Sequence, residues 1–155
     1  MNYINFYNNL IKLTTNKSLY KNLGKQDSFN DRLILFLLHF AFFLKNFKNK
    51  ENEKTLQKIY DFNFRQLELS IREIGYGDQS VNKKMKTYVN LLYSIIDKIN
   101  KWEDLEMKHK INILNLYIEI KDNNEKFIDY FDKYSNYLLK IPLNSFAKSV
   151  IDHRF

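Results

Sequence analysis

The chain has 155 residues, of which 45% are hydrophobic and 28% charged, and a net charge of +7. That length suits one domain, and the apolar content is enough for a core, so a disordered chain is excluded. The absence of cysteine excludes disulfides, thiolate metal sites and a cysteine nucleophile, while three glycines and one proline favour long helices over a turn-rich architecture.

Six helices are predicted in chain order. The first runs from about Tyr3 to Leu13, because Phe6, Tyr7, Leu10 and Leu13 recur at helical spacing. A looser stretch follows through Gly24. Ser28 or Asn30 offers an N-cap for the second helix, which ends near Lys48 with lysines in its last turns. This helix holds the longest apolar run, Leu33 to Leu44. Its 12 residues fall short of the roughly 20 needed for a membrane span, so a buried core helix is expected.

The third helix spans about Asn52 to Ile74, with Leu56, Ile59, Tyr60, Phe64, Leu67, Ile71 and Ile74 on one stripe. Gly75 stands where a left-handed C-terminal cap belongs, and Gly77 permits a second unusual dihedral. Asp78 or Ser80 then caps the fourth helix, about Val81 to Asn100, whose apolar face is the most regular of the six. The segment Gly75 to Asp78 is thus a tight helix–helix corner. The fifth helix, about Leu105 to Ile120, is apolar around most of its circumference and is expected to be central. The sixth runs from about Glu125 to Ile141, ended by Pro142, and buries Phe127, Tyr130, Phe131, Tyr134 and Leu138. The tail, residues 142–155, is expected to be ordered only by docking. No repeat or linker divides the chain, so residues 1–155 read as one all-α, irregular helical bundle.

Catalytic and cofactor motifs are missing. His39, His109 and His153 are too far apart to clip a metal from one helix. His39 reads as a hydrogen-bonded core residue, and neither it nor His109 has a haem attachment motif beside it. Gly75-x-Gly77 follows a helix, not a strand, and lacks a third glycine, so it is no dinucleotide loop. A helical-cavity enzyme would need converging buried polar groups around His39, and the sequence offers none. The expected protein is not an enzyme and carries no cofactor or metal. The positive charge suits an anionic partner, yet no zinc finger or aromatic RNA-binding signature accompanies it, and DNA is not expected.

Two surface features stand out. Phe62 and Leu69, seven residues apart, lie opposite the main stripe of the third helix and meet either a second layer of the bundle or a partner. Lys83, Lys84 and Lys86 form a basic cluster just after the corner.

The stretches Asp61 to Glu68, Ile71 to Asp78 and Val81 to Lys86 resemble the ubiquinol–cytochrome c chaperone family, which carries a run close to D-x-x-F … L-R-E-x-G-x-G-D-x-x-V-x-x-x-M-K. Ser18-Leu19-Tyr20, Asp27 and Asp31-Arg32 leading to Leu38-His39 resemble its first segment. Leu92-Tyr93 and Leu114 to Tyr117 resemble later elements, so the likeness spans roughly residues 18–117. Ser94-Ile95 and Leu114 depart from it, each standing where the family often has an arginine, and Glu68 replaces an aspartate.

The resemblance implies an all-helical assembly chaperone that binds newly made cytochrome b and supports assembly of the cytochrome bc1 complex. The absence of an Arg-rich presequence points to a bacterial member, cytoplasmic or peripheral at the inner membrane; a eukaryotic member would work in the mitochondrial matrix. On this reading Arg72, Glu73, Gly75, Gly77, Asp78 and Val81 build the corner. Phe62, Leu69 and Tyr76 offer apolar contact, and Lys83, Lys84 and Lys86 present charge to a client or partner. Expected partners are nascent cytochrome b and a ribosome surface, an anionic membrane surface or a small helical protein. The alternative is a basic helical ribosome- or RNA-binding module without a cytochrome role.

Overall fold

The computed structural model describes residues 1–23, 29–148, 151 and 155. Among them the chain is all-α: α1 (Tyr3–Thr14), α2 (Lys17–Tyr20), α3 (Phe29–Phe47), α4 (Glu53–Glu73), α5 (Asp78–Lys98), α6 (Met107–Asn115), α7 (Glu125–Leu139) and α8 (Ser145–Lys148), with short 3-10 turns at Trp102–Asp104 and Lys121–Asn123. The six longer helices are those the periodicity predicts. The two one-turn helices, α2 and α8, have no apolar period long enough to be read.

Helix α3 is the axis of the bundle. It is wrapped on nearly every side, with Leu33 through Phe43 all buried. Helices α1, α5 and α7 pack directly on it. Its aromatic residues interlock with theirs: Phe43 meets Phe6 of α1 at 4.6 Å, and Phe42 meets Phe131 of α7 at 5.3 Å. Such ring pairs add specificity to simple burial. The N-cap candidate Asn30 proves to lie in the first turn of α3. Ser28, along with Gly24, Asp27 and His153, lies outside the described residues.

His39 sits at the centre with no exposed surface. Its Nδ1 lies 2.6 Å from the Leu35 carbonyl, which can only accept, so Nδ1 carries the proton. Nε2 therefore accepts from the Tyr130 hydroxyl at 2.7 Å. Burial drives the His39 pKa down to about 4, against a smaller opposing effect of the Leu35 bond, so the ring is neutral.

Three expectations are corrected. The fifth predicted helix is not central: α6 is nine residues long and buries Leu114 alone, because its apolar residues Met107, Ile111 and Ile113 pack only partly against the core. Trp102 takes the buried role nearby, its indole donating to Asp132 Oδ1 at 2.8 Å, where Lys110 also bonds at 3.0 Å. Ile74 leaves the α4 stripe and is 54% exposed, because α4 ends before it. Helix α5 starts at Asp78, three residues before the predicted Val81, with Gly77 rather than Asp78 or Ser80 at the N-cap.

The described residues of the tail dock on the bundle. Asn9, buried in α1, donates to the Phe146 carbonyl at 2.6 Å and accepts from the Ile151 amide at 2.9 Å. Phe146 fills a gap between Phe6 and Phe43, and Phe155 lies against Tyr134 and Tyr137.

Candidate functional site

The α4–α5 hairpin leaves a row of apolar side chains only partly covered. Each helix carries one stripe: Leu56, Ile59, Phe64, Leu67 and Ile71 on α4, and Val81, Tyr88, Leu92 and Ile95 on α5. These stripes face the bundle. Along the seam between the two helices, a second row is half-covered or exposed, including Tyr60, Met85 and Tyr93.

The corner joining the helices is built as the glycine spacing suggests, but by one glycine. Gly75 has φ +106°, a conformation that L residues rarely adopt, and its amide bonds the Arg72 carbonyl at 2.9 Å. Gly77 has φ −73° and ψ 165°, ordinary extended backbone, and a Cβ there would meet nothing within 4 Å. The expected second unusual dihedral is absent. Gly77 simply occupies the N-cap, its carbonyl accepting from the Val81 amide at 2.9 Å. Arg72 clamps the corner from outside by bonding Glu68 at 3.2 Å and Asp78 across the turn. The Asp78 carboxylate first, then Glu68, raises the Arg72 pKa further. Val81 is fully buried and anchors the start of α5, whereas Glu73 is exposed.

Two concavities run along the seam. The first, about 610 Å³, lies where the end of α3 meets α4 and α5, with Leu44, Leu56, Leu92 and Ile96 as its apolar lining and Lys48 and Lys50 at its rim. The second, about 640 Å³, is shallower and continues along α4 past Phe64 and Leu69 to Arg72, with Met85 from α5. Tyr60 lines both. Its ring lies 6.3 Å from that of Tyr93. Burial, with a smaller contribution from Tyr93, pushes the Tyr60 phenol up to about 12, so it is a neutral donor. A smaller apolar hollow of about 310 Å³ between α1, α3 and α4 shares no lining residue with either concavity.

The structure separates the residues singled out for client contact. Phe62 turns toward α1 and stacks on Tyr3 at 5.8 Å, so it meets the second layer of the bundle. Leu69 is 46% exposed and lines the shallower concavity. Tyr76 projects from the corner with the Lys84 ammonium 4.5 Å above its ring, and Lys83 and Lys86 are exposed on other sides of the first turns of α5. Residue-type reasoning missed Tyr60 and Tyr93. Helical spacing places Tyr60 on the buried stripe, and only the packing of α4 against α5 reveals the two as groove residues.

The described residues contain no group of three or more His, Asp or Glu placed to hold a metal ion, and no helix among them is long and apolar enough to cross a membrane. The arrangement presents an apolar trough with charged edges, which suits binding a chain segment. A family model described as Ubiquinol-cytochrome C chaperone matches residues 21–102. The chain belongs to the ubiquinol-cytochrome C chaperone family. The matched residues take in α3, the corner and both helices of the seam, so the family's portion of the chain contains the groove. The elements resembling the family at Ser18–Tyr20 and Leu114–Tyr117 lie outside the match. No curated protein and no solved structure matches this ubiquinol-cytochrome C chaperone family member.

Proposed function

We propose that this chain is a non-catalytic assembly chaperone whose α4–α5 groove covers an apolar segment of newly made cytochrome b before the cytochrome bc1 complex is assembled. The observation that carries this reading is the groove itself, lying inside the family-matched residues. From Glu53 to Arg72 it follows α4 for 19 residue steps, about 28 Å at 1.5 Å per residue. That is close to the length of one bilayer-crossing helix, about 30 Å. An apolar helix laid in such a trough is anchored by side chains spaced along one face. Outside lipid the same segment aggregates if left uncovered.

A reduced-minus-oxidised haem spectrum of membranes from a strain lacking the gene tests the proposal, read beside ubiquinol–cytochrome c reductase activity. Selective loss of cytochrome b and of that activity, with other cytochromes intact, is the expected result. Normal cytochrome b would reject it and bring forward the ribosome- or RNA-binding module, whose basis is the exposed Lys83 and Lys86 and the net charge of +7.

A further inference from the structure

We propose that the α4–α5 corner is a docking tip for an anionic lipid surface, in which Ile74 and Tyr76 enter the interface and Lys83, Lys84 and Lys86 meet lipid phosphates. Every residue from Arg72 to Ser80 is exposed, so the corner projects from the bundle. Ile74 is 54% and Tyr76 42% exposed at its apex. Apolar side chains standing in water gain free energy by entering a bilayer's headgroup–acyl boundary. Lys84 lies over the Tyr76 ring at 4.5 Å. An aromatic body with a charged end suits the level of the headgroups, where both parts are solvated as they prefer.

The charges favour lipid over RNA. Arg72 spends its guanidinium on Glu68 and Asp78. Of the tip's acids, that leaves Glu73 against three lysines, and ammonium groups act on lipid phosphates as point charges. Single-stranded RNA is held by aromatic platforms together with arginine. Here the apex side chains are an isoleucine and a tyrosine already covered by lysine, and the arginine is engaged. Apart from Arg72, no residue of the corner lines either concavity of the seam, so the apex offers no trough to a protein helix. Since no described helix can cross a membrane, contact of these residues with lipid would be at the surface.

The inference goes beyond the client reading and does not rest on it, because its test contains no client. The full chain is sedimented with phosphatidylcholine vesicles containing about one-fifth phosphatidylglycerol, and with vesicles of phosphatidylcholine alone. Binding to the anionic vesicles only, lost at high salt, is expected. Combined Lys83→Glu, Lys84→Glu and Lys86→Glu substitutions should weaken partitioning by more than about ten-fold. The same reversal at exposed Lys54, Lys58 and Lys98 should leave most of it, although net charge changes equally. An Ile74→Trp reporter should shift its emission to the blue on anionic vesicles, while Trp102, already buried, does not contribute to the shift. Circular dichroism checks that each variant is folded. Failure of the parent chain to bind anionic vesicles overturns the proposal. So does equal loss from the two lysine sets, or an unmoved Ile74→Trp emission while the protein sediments. Binding of poly-uridylate through the corner lysines without vesicle binding would reassign the surface to RNA.

Discussion

Helices α3 and α4 are nearly equal in length but differ in how much they give to the fold. Of the 19 residues of α3, 13 are buried; of the 21 of α4, six are. Helix α3 is enclosed by neighbours, and even its histidine has both ring nitrogens bonded inside the core. Helix α4 is covered on one side and leaves its seam with α5 open. Its inner face also holds the buried Asn63, whose Nδ2 donates to the Ile59 carbonyl at 2.7 Å. A helix buried all round can do little except stabilise, whereas one buried on a single stripe keeps side chains available for a second molecule.

The largest effect that would sharpen this contrast is expected in the α3–α7 core. Phe131→Ala removes a fully buried ring that touches Phe42, Phe127 and His39. It should cost about 3–5 kcal/mol in urea denaturation. A cost below about 1 kcal/mol would show that the core is not the rigid half of the molecule.

Next comes the pH dependence of stability. The folded His39 pKa is about 4, below its ordinary 6.5. The unfolded chain therefore takes up a proton first as pH falls. The stability tied to neutral His39 is complete above pH 6.5, declines between 6.5 and about 4, and changes no further below that. The loss should be about 3 kcal/mol across this window. In His39→Gln this contribution to the slope should vanish, whatever the variant's baseline stability; an unchanged profile would mean that the ring titrates in the folded state.

The corner should show a smaller split between its two glycines. Gly75→Ala forces a side chain into positive φ and should cost about 1–2 kcal/mol. Gly77→Ser should stay within about 0.5 kcal/mol, since the backbone there is ordinary, the surroundings are open and serine also serves at an N-cap. Equal costs would contradict the assignment of the turn to Gly75. The smallest stability change belongs to the seam. Leu69→Ser and Tyr93→Ser should each change melting little, because both side chains stand about half in solvent, yet on the proposed function recovery of cytochrome b with the chain should fall. Client recovery at the parent level would place the client elsewhere.

Most of the helices were legible because an apolar stripe at helical spacing has one satisfying arrangement, as in Val81, Tyr88, Leu92 and Ile95 of α5. The misreadings came where the same composition admits two environments. Leu105 to Ile120 is apolar enough for a core helix, but α6 ends at Asn115 with Leu114 alone buried, and Ile118 and Ile120 reach the core from beyond its end. Phe62 and Leu69 share one side of α4 and read alike in sequence. One meets Tyr3 and the other solvent, because α1 covers only part of that side.

By itself the sequence determined the all-α class, the buried role of the second predicted helix, the glycine corner and the family's motif, since these depend on local spacing, on chirality at one residue and on residue identity. Only the tertiary structure decided that Gly75 rather than Gly77 needs its special backbone, that Asn9 clamps the tail, and that Tyr60 and Tyr93 edge a groove. Those outcomes depend on how far neighbouring helices extend over one another, and coverage of one face by a distant element leaves no periodic trace in the chain.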